Sequence, residues 1–429
     1  MRKTLFFLFI IFNISFSANI NDAIKAFNNK EYKKSFKIFQ KLKTPKAYYY
    51  LGKQYYYGYG VKKDIKKSLE YLKKGCKLNE PKACNGLGWI YQHNKKYKNI
   101  PLAVKYFKKA CNELKYGTSC NYLGVIYHRQ KDYKNAVKYY KFACDLNDSW
   151  GCSDLGWHYE HGKGVGKDLD LAKEYFQKAC NLKKKFCVNL GYFYEKQKND
   201  YKKAFKYYKI ACDNNGSMGC NNLAWMYLDG RGVEKNIHKG YIYAKKAYDL
   251  NPKNTLNLGY YYEHYAHDYQ KALKLYKIEC NNNNNNLGSV GCSNISSLNL
   301  SGKIKNANLD KAKFYAQKAI KIDPTNDSAY NDLGVYYNKT NNSKFAFDNF
   351  SKACELNNKY GCYNLAGLYE KGKGVNKNIS KAIKYYKKSC DLNYAKSCAY
   401  LGSLYKNQND YKKATFYYKK AYNIIKSGE

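Results

Sequence analysis

Sixteen cysteines in a chain of 429 residues fall into eight local pairs. They are Cys76/Cys84, Cys111/Cys120, Cys144/Cys152, Cys180/Cys187, Cys212/Cys220, Cys280/Cys292, Cys354/Cys362 and Cys390/Cys398. Thiols this close can oxidise to disulfides or, as thiolates, hold a zinc ion. Zinc sites favour two cysteines separated by about two to four residues, or nearby histidines. The seven histidines here are scattered. His158-x-x-His161 and Glu263-His264-x-x-His267 are the pairs that could ligate a metal, and both read as surface histidines. An even number of cysteines in an exported chain is a disulfide framework. The expectation is eight disulfides, no metal and no cofactor.

Disulfides at this spacing constrain the chain. Seven or eight residues along a continuous helix rise about 10–12 Å, whereas bridged Cα atoms sit about 4.4–6.8 Å apart. The chain must therefore reverse between the two cysteines. Lys77-Leu78-Asn79-Glu80-Pro81 and Asp213-Asn214-Asn215-Gly216-Ser217 are turn sequences of the kind required. The first cysteine of each pair is expected to end one helix and the second to begin the next, so that each bridge staples a helical hairpin.

The compartment is read from the first residues. Met1-Arg2-Lys3 precedes an apolar run from Leu5 to Phe12, and Ser15-Phe16-Ser17 supplies small residues at a cleavage site. Residues 1–17 are expected to be a cleavable signal peptide, and the protein secreted or periplasmic. The run is too short for a membrane span, and no later segment approaches the roughly 18 apolar residues that one needs. The net charge is +44, mostly lysine. Such a field attracts anionic surfaces, acidic proteins or nucleic acid. Export argues against nucleic acid. Lys, Asn, Tyr, Ile and Phe are all abundant and share AT-rich codons, so most of the charge reads as compositional.

Aligned on the second cysteine of each pair, the chain repeats C-x-x-L-[GA]-x-x-Y, as in Cys84 to Tyr91, Cys152 to Tyr159, Cys220 to Tyr227 and Cys362 to Tyr369. Before the first cysteine stands A-x-x-Y-[YF]-x-x-A-C, as in Ala136 to Cys144 and Ala204 to Cys212. Both have helical apolar spacing, and the period of about 36 residues makes each unit a helix–turn–helix. In four units a G-x-G-V loop separates the helices, beginning at Gly58, Gly162, Gly230 and Gly372. Without a preceding strand it is no phosphate loop. The expected domains are a capping helix pair over 18–44 and a solenoid of about eleven repeats over 45–429. A degenerate unit lies near 288–323, after the Asn281 to Asn286 run. At two joints both cysteines are replaced together, by Tyr248/Thr255 and by Ile320/Tyr330.

These motifs resemble Sel1-like repeats, relatives of tetratricopeptide repeats. With a signal peptide and cysteines eight apart, the chain resembles the cysteine-rich, secreted Sel1-like repeat family of bacteria, the Hcp-type proteins. The resemblance implies an all-α, right-handed α/α superhelical solenoid with one disulfide per repeat. It also implies penicillin binding with slow β-lactamase activity, and roles as secreted, host-exposed factors.

The residues themselves give that activity little support. A serine β-lactamase needs S-x-x-K, S-D-N and K-[ST]-G around one cleft. Ser403-Leu404-Tyr405-Lys406 and Lys426-Ser427-Gly428 match two of them, and no S-D-N occurs. Ser403 and Lys406 are thus weak catalytic candidates, and whether the protein is an enzyme stays open. The position after L-[GA] varies from repeat to repeat and carries Trp89, Trp157, Tyr192, Trp225 and Tyr260. On a concave face these rings would form a ligand groove for a protein, a peptide or a cell-wall or β-lactam-like ligand. The alternative is that they only pack between repeats. Asn147 and Asn215 lie in D-x-N-x-S turns that resemble a bacterial glycosylation sequon. A monomeric interaction scaffold is the leading expectation, and a slow β-lactam hydrolase the second.

Overall fold

The computed structural model describes residues 19–282 and 286–427. The expected signal peptide and Gly428 lie outside them. Every regular element among the described residues is helical. Helices bearing C-x-x-L-[GA]-x-x-Y are termed A and their partners B. The chain divides into two compact units, one through Lys198 and one from Asn199. Nothing in the repeat pattern announces that division.

The first unit opens with the hairpin Ile20–Asn28 and Tyr32–Lys41, followed by the A helix Pro45–Tyr57 and the B helix Ile65–Lys77. It closes with the A helix Cys187–Gln197. The second unit opens with the B helix Tyr201–Asp213 and ends with the hairpin Ala395–Asn407 and Tyr411–Ser427. Most B helices start from an Asp or Asn whose side chain accepts a backbone N–H of the first turn, as Asp64 does from Lys67 and Asp132 from Asn135. Each such cap contributes about 1 kcal/mol.

The motifs have direct packing explanations. The leucine of each A helix is buried, and Leu87, Leu123, Leu155 and Leu190 are wholly inaccessible. The residue after it must be small because an aromatic ring of the B helix lies on it. A Cβ on Gly124 would stand 2.5 Å from Tyr140, and one on Gly334 2.4 Å from Phe350. The motif tyrosine of the A helix stacks face to face on the other B-helix tyrosine. Tyr127 and Tyr139 lie 5.4 Å apart at 1°, Tyr227 and Tyr243 5.6 Å apart at 0°, and Tyr369 and Tyr385 5.6 Å apart at 9°. Within G-x-G-V the first glycine ends the A helix with positive φ, 63° at Gly162. The second, Gly164, abuts backbone: a Cβ there would sit 2.4 Å from Tyr133.

All sixteen cysteines are bridged, and each bridge joins a B helix to the A helix that follows. In the first unit the Cα–Cα distances are 4.7 Å for Cys76–Cys84, 4.9 Å for Cys111–Cys120, 4.5 Å for Cys144–Cys152 and 4.4 Å for Cys180–Cys187. In the second they are 4.5 Å for Cys212–Cys220, 4.7 Å for Cys280–Cys292, 4.5 Å for Cys354–Cys362 and 4.9 Å for Cys390–Cys398.

The position of the second cysteine needs a correction. It was expected to begin its helix, and only Cys187 does so. Cys398 stands fourth in Ala395–Asn407, just as Cys84 stands fourth in Pro81–His93. The reason is the tightness of the turn. Asn393 adopts φ 61°, and the Tyr394 N–H then donates to the Ser389 carbonyl at 3.1 Å. The A helix thus starts beside the last turn of the B helix, and its first turn must rise before a side chain faces Cys390.

Where the spacing departs from eight, the helix ends absorb the difference. Cys111 and Cys120, nine apart, are accommodated by a π-helical turn over Lys109–Glu113. Cys180 and Cys187, seven apart, are accommodated by the 3₁₀ turn Lys184–Phe186. The asparagine run lengthens the Cys280–Cys292 spacing to twelve.

At the first joint without cysteines a polar contact ties the start of the A helix to its own B partner, Tyr269–Cys280, and at the second a polar relay links the B helix to the A helix that follows. Thr255 is fully buried, and its hydroxyl donates to Glu279 Oε2 at 3.1 Å. Glu279 is itself buried and precedes Cys280, where most other repeats carry alanine. At the other joint, Asn326 Nδ2 donates to Ser289 Oγ at 2.7 Å, and Ser289 Oγ donates to the Ala319 carbonyl at 2.9 Å.

Candidate functional site

The variable A-helix position is neither core nor bare surface. In the first unit Trp89 is half-buried, edge-on to Tyr56 at 5.4 Å and stacked on His93 at 4.9 Å. Trp157 is 37% exposed and stacks on His161 at 4.3 Å. Tyr192 is 49% exposed, with the Lys196 ammonium 5.9 Å from its ring. In the second unit the half-buried Trp225 meets Tyr260 edge-on at 5.3 Å, and Tyr260 leans on His264 at 4.2 Å. Burial pushes the Tyr260 phenol up to about 12. Trp89–Tyr56 and Trp225–Tyr260 bridge neighbouring repeats, so these rings pack between repeats and still offer a face to a ligand.

A second row runs beside them. The residue just before the motif leucine (Ile295 in one repeat) runs Tyr50, Gly86, Tyr122, Asp154 and Asn189 in the first unit. In the second it is Asn or Asp at 222, 257, 294, 332 and 364 and Tyr400 at the end. The Asn and Asp members form the row. These side chains reach back to the preceding A helix. Asn189 Nδ2 donates to Ser153 Oγ at 2.6 Å, Asn257 Nδ2 to the Asn221 carbonyl at 2.6 Å, and Asn364 Nδ2 to Asn331 Oδ1 at 3.0 Å. The row is open to sequence reading, since the second x of C-x-x-L carries it in column after column. It holds two carboxyls, Asp332 buried and Asp154 half-buried. Desolvation pushes Asp154 up to about 7, and Asp332 likewise.

Two cavities break the A-helix rows, each at a glycine. In the second unit Gly367 replaces the variable ring beside a cavity of about 430 Å³. The Tyr386 and Tyr400 hydroxyls both donate to Glu370 there, the former at 2.9 Å. In the first unit Gly86 occupies the Asn/Asp row beside a cavity of about 280 Å³ that includes Trp89.

Of the histidines read as surface groups, His158 is buried. Its Nδ1–H donates to the Lys163 carbonyl at 2.6 Å, and its Nε2 accepts from His128 Nδ1 at 2.9 Å. Burial lowers the pKa of both imidazoles. The partner stands 30 residues away, so no local motif reveals the pair. No group of three or more His, Cys, Asp or Glu side chains that could hold a metal ion occurs among the described residues.

Ser403 is exposed, and its Oγ lies 2.9 Å from the Tyr418 hydroxyl. Lys406 is exposed, and no hydrogen bond joins it to Ser403 among the described residues. The serine therefore has a phenol, not an amine, as its neighbour. Asn147 and Asn215 are exposed at φ 59° and 58°. Asn79, Asn357 and Asn393 hold the same turn position at φ 59°, 68° and 61°. A left-handed turn residue favours asparagine, which accounts for all five.

Comparison with known proteins agrees with this architecture. The Sel1 repeat model matches residues 45–80, 81–113, 151–184, 185–216, 217–252 and 359–394. Tetratricopeptide repeat models match 118–149, 303–326 and 395–427, and 315–345. A cytochrome c oxidase assembly factor 7 of Xenopus tropicalis is 38% identical over 128 residues, 27% of this chain and 55% of that protein. The chain thus spans about half the length of that relative. β-Lactamase HcpA of Helicobacter pylori is 43% identical over 53 residues, 12% of this chain and 21% of that one. The crystal structure of a protective antigen of uropathogenic Escherichia coli displaying an SLR fold superimposes with a TM-score of 0.54 at 21% identity. That superposition covers 95% of this chain and 92% of that one, and it shows the fold alone.

Proposed function

This chain is a cysteine-rich Sel1-like repeat protein, and we propose that it is an exported scaffold that binds protein or peptide segments on its A-helix faces. The observation that carries the reading is the set of partly exposed rings at the variable position after L-[GA]. Aromatic side chains give large contact area at low entropic cost, and they dominate protein interfaces. Tetratricopeptide-type repeats generally serve as interaction scaffolds, and relatives of this chain bear the name of an assembly factor. Eight disulfides fit an oxidising compartment. No described helix is long and apolar enough to cross a membrane.

The test is photocrosslinking from position 192 with a benzophenone amino acid, in the producing cell, followed by binding measurements on the captured partner. Trp157→Ala and Tyr192→Ala, both in the first unit, should each weaken that partner by about 10–100-fold, the range of a buried interface aromatic. The circular dichroism spectrum should not change. Partner affinity untouched by both substitutions would remove the A-helix face from the reading.

Likeness to a β-lactamase over 53 residues motivates a second reading, a slow β-lactam hydrolase. Nitrocefin turnover by the oxidised chain tests it. Because Ser403 pairs with a phenol and not with Lys406, Ser403→Ala is expected to leave any turnover unchanged. A loss of more than about tenfold, the scale of a removed catalytic group, would make Ser403 the nucleophile.

A further inference from the structure

The cavity at Gly86 joins rings and lysines with no carboxylate in its lining, whereas the one at Gly367 holds Glu370. Its walls are rings: Tyr56 and Trp89, with Tyr49 and Tyr122 on either side. Its floor is Gly86 and Leu72: Gly86 has no side chain where the next repeats place Tyr122, Asp154 and Asn189, and a Cβ there would stand 3.3 Å from the Leu72 side chain. The Lys53 and Lys82 side chains line the same space. Lys53 stands at the variable position of its own repeat and is half-buried. Neither lysine makes an ion pair among the described residues. Glu80, a nearby carboxylate, caps the following helix instead, accepting the Lys82 backbone N–H at 3.3 Å. Asn85 Oδ1 accepts from the Ser119 hydroxyl at 2.9 Å, which leaves the Asn85 amide N–H groups as donors. Burial pushes the Tyr49 phenol up to about 12, so it too stays a donor. Burial and the neighbouring Lys82 lower the pKa of Lys53. The Lys53 ammonium lies 5.1 Å from the Phe27 ring centroid, at the half-buried edge of the cavity, and Lys82 is exposed beside it. An anion in the cavity would meet both charges.

We propose that this cavity binds a carboxylate attached to an aromatic or branched apolar body. The acid would lie between Lys53 and Lys82 with Asn85 donating, and the body would lie against Tyr56 and Trp89 above Gly86. A free aromatic acid and the C-terminal residue of a peptide share this chemistry. The inference rests on the reading of the A-helix face as a binding surface, and it names the chemistry of one site on it.

The test uses the full oxidised chain with Trp150→Phe, Trp157→Phe and Trp225→Phe, which leaves Trp89 as the only tryptophan. Its emission is titrated with N-acetyl-L-phenylalanine, with the corresponding amide, and with acetyl-Gly-Gly-Gly-Phe as acid and as amide. Calorimetric titration of the unsubstituted chain repeats the measurement free of any folding defect. Both acids should bind saturably and at least about tenfold more tightly than their amides, as loss of a charge-assisted contact requires. Lys53→Met and Lys82→Met should each weaken the acids about tenfold or more and leave the amides unchanged. Gly86→Asn, which restores the residue type of other repeats, should abolish binding. A peptide acid at least about tenfold tighter than the free amino acid would identify a chain terminus as the source, and equal affinities a free acid. Acid and amide binding alike, no binding at millimolar concentration, or indifference to Gly86→Asn would overturn the proposal. Those outcomes leave crosslinking from position 192 untouched, so the scaffold reading fails or stands on its own result.

Discussion

Full reduction of the disulfides is expected to lower the thermal midpoint by on the order of 20 °C or more. Each bridge closes a short loop, with cysteines seven to twelve residues apart. In the chain-entropy model, whose mechanism is disputed, such a loop contributes about 2–3 kcal/mol. Four bridges lie in each compact unit. Together they contribute about 10 kcal/mol per unit, the size of a whole domain's stability. In a repeat array each hairpin contacts only its neighbours, so each bridge acts on its own joint. The loss should therefore be local in pattern as well as large in sum. Amide exchange should accelerate most around Cys144–Cys152, Cys212–Cys220 or Cys390–Cys398. It should accelerate least at Tyr248/Thr255 and Ile320/Tyr330, where no disulfide stands to be reduced. A melt unchanged by reduction would deny the bridges a structural role.

The helical repeat is legible in the sequence because its determinants recur in short windows. C-x-x-L-[GA]-x-x-Y reports a buried leucine, a ring seated on Gly124 or Gly334, and a stacked tyrosine pair, each within one hairpin. The disulfide turns are legible for the same reason, although spacing alone does not reveal that Cys398 enters its helix a full turn in. What escapes depends on contacts about one period apart. His158 is buried because His128, on the A helix before it, shares its proton network. The Gly86 cavity exists because a side chain is missing from a column, which a window around residue 86 does not show. The division at Lys198 has no signature in the motifs at all. The aromatic row lies between these cases. Its variability marks it as outside the core, and its half-buried state follows from ring contacts such as Trp225–Tyr260 that span two repeats.

Asp332 should give the largest single-residue effect, and its sign depends on pH. It is 6% exposed, in the row where Asn294 and Asn364 stand in neighbouring repeats. Its Oδ2 accepts from the Ser297 hydroxyl at 2.9 Å. Burial pushes its carboxyl up to about 7 from 3.8, the Ser297 and Ser296 hydroxyls pull the other way, and Glu263 adds to the rise. A raised acid means that the folded state holds a proton that the unfolded state has released. Between about pH 4 and pH 7 the folded chain binds more protons, so stability falls as pH rises through that window. Below it both states are protonated and nothing is lost; above it the full cost of a buried carboxylate is present. At about 1.4 kcal/mol for each tenfold change in proton affinity, that cost is on the order of 4 kcal/mol in the second unit. Asp332→Asn keeps the shape and the Ser297 contact and removes the charge. The variant should therefore match the parent near pH 4 and melt well above it at pH 8. Glu279, whose pKa burial also raises, titrates in the same direction in both proteins. The difference between parent and variant thus isolates Asp332. Differential scanning calorimetry reads the two midpoints, and equal values at pH 8 would mean that Asp332 ionises in the fold without penalty, through water reaching a carboxyl that the packing encloses.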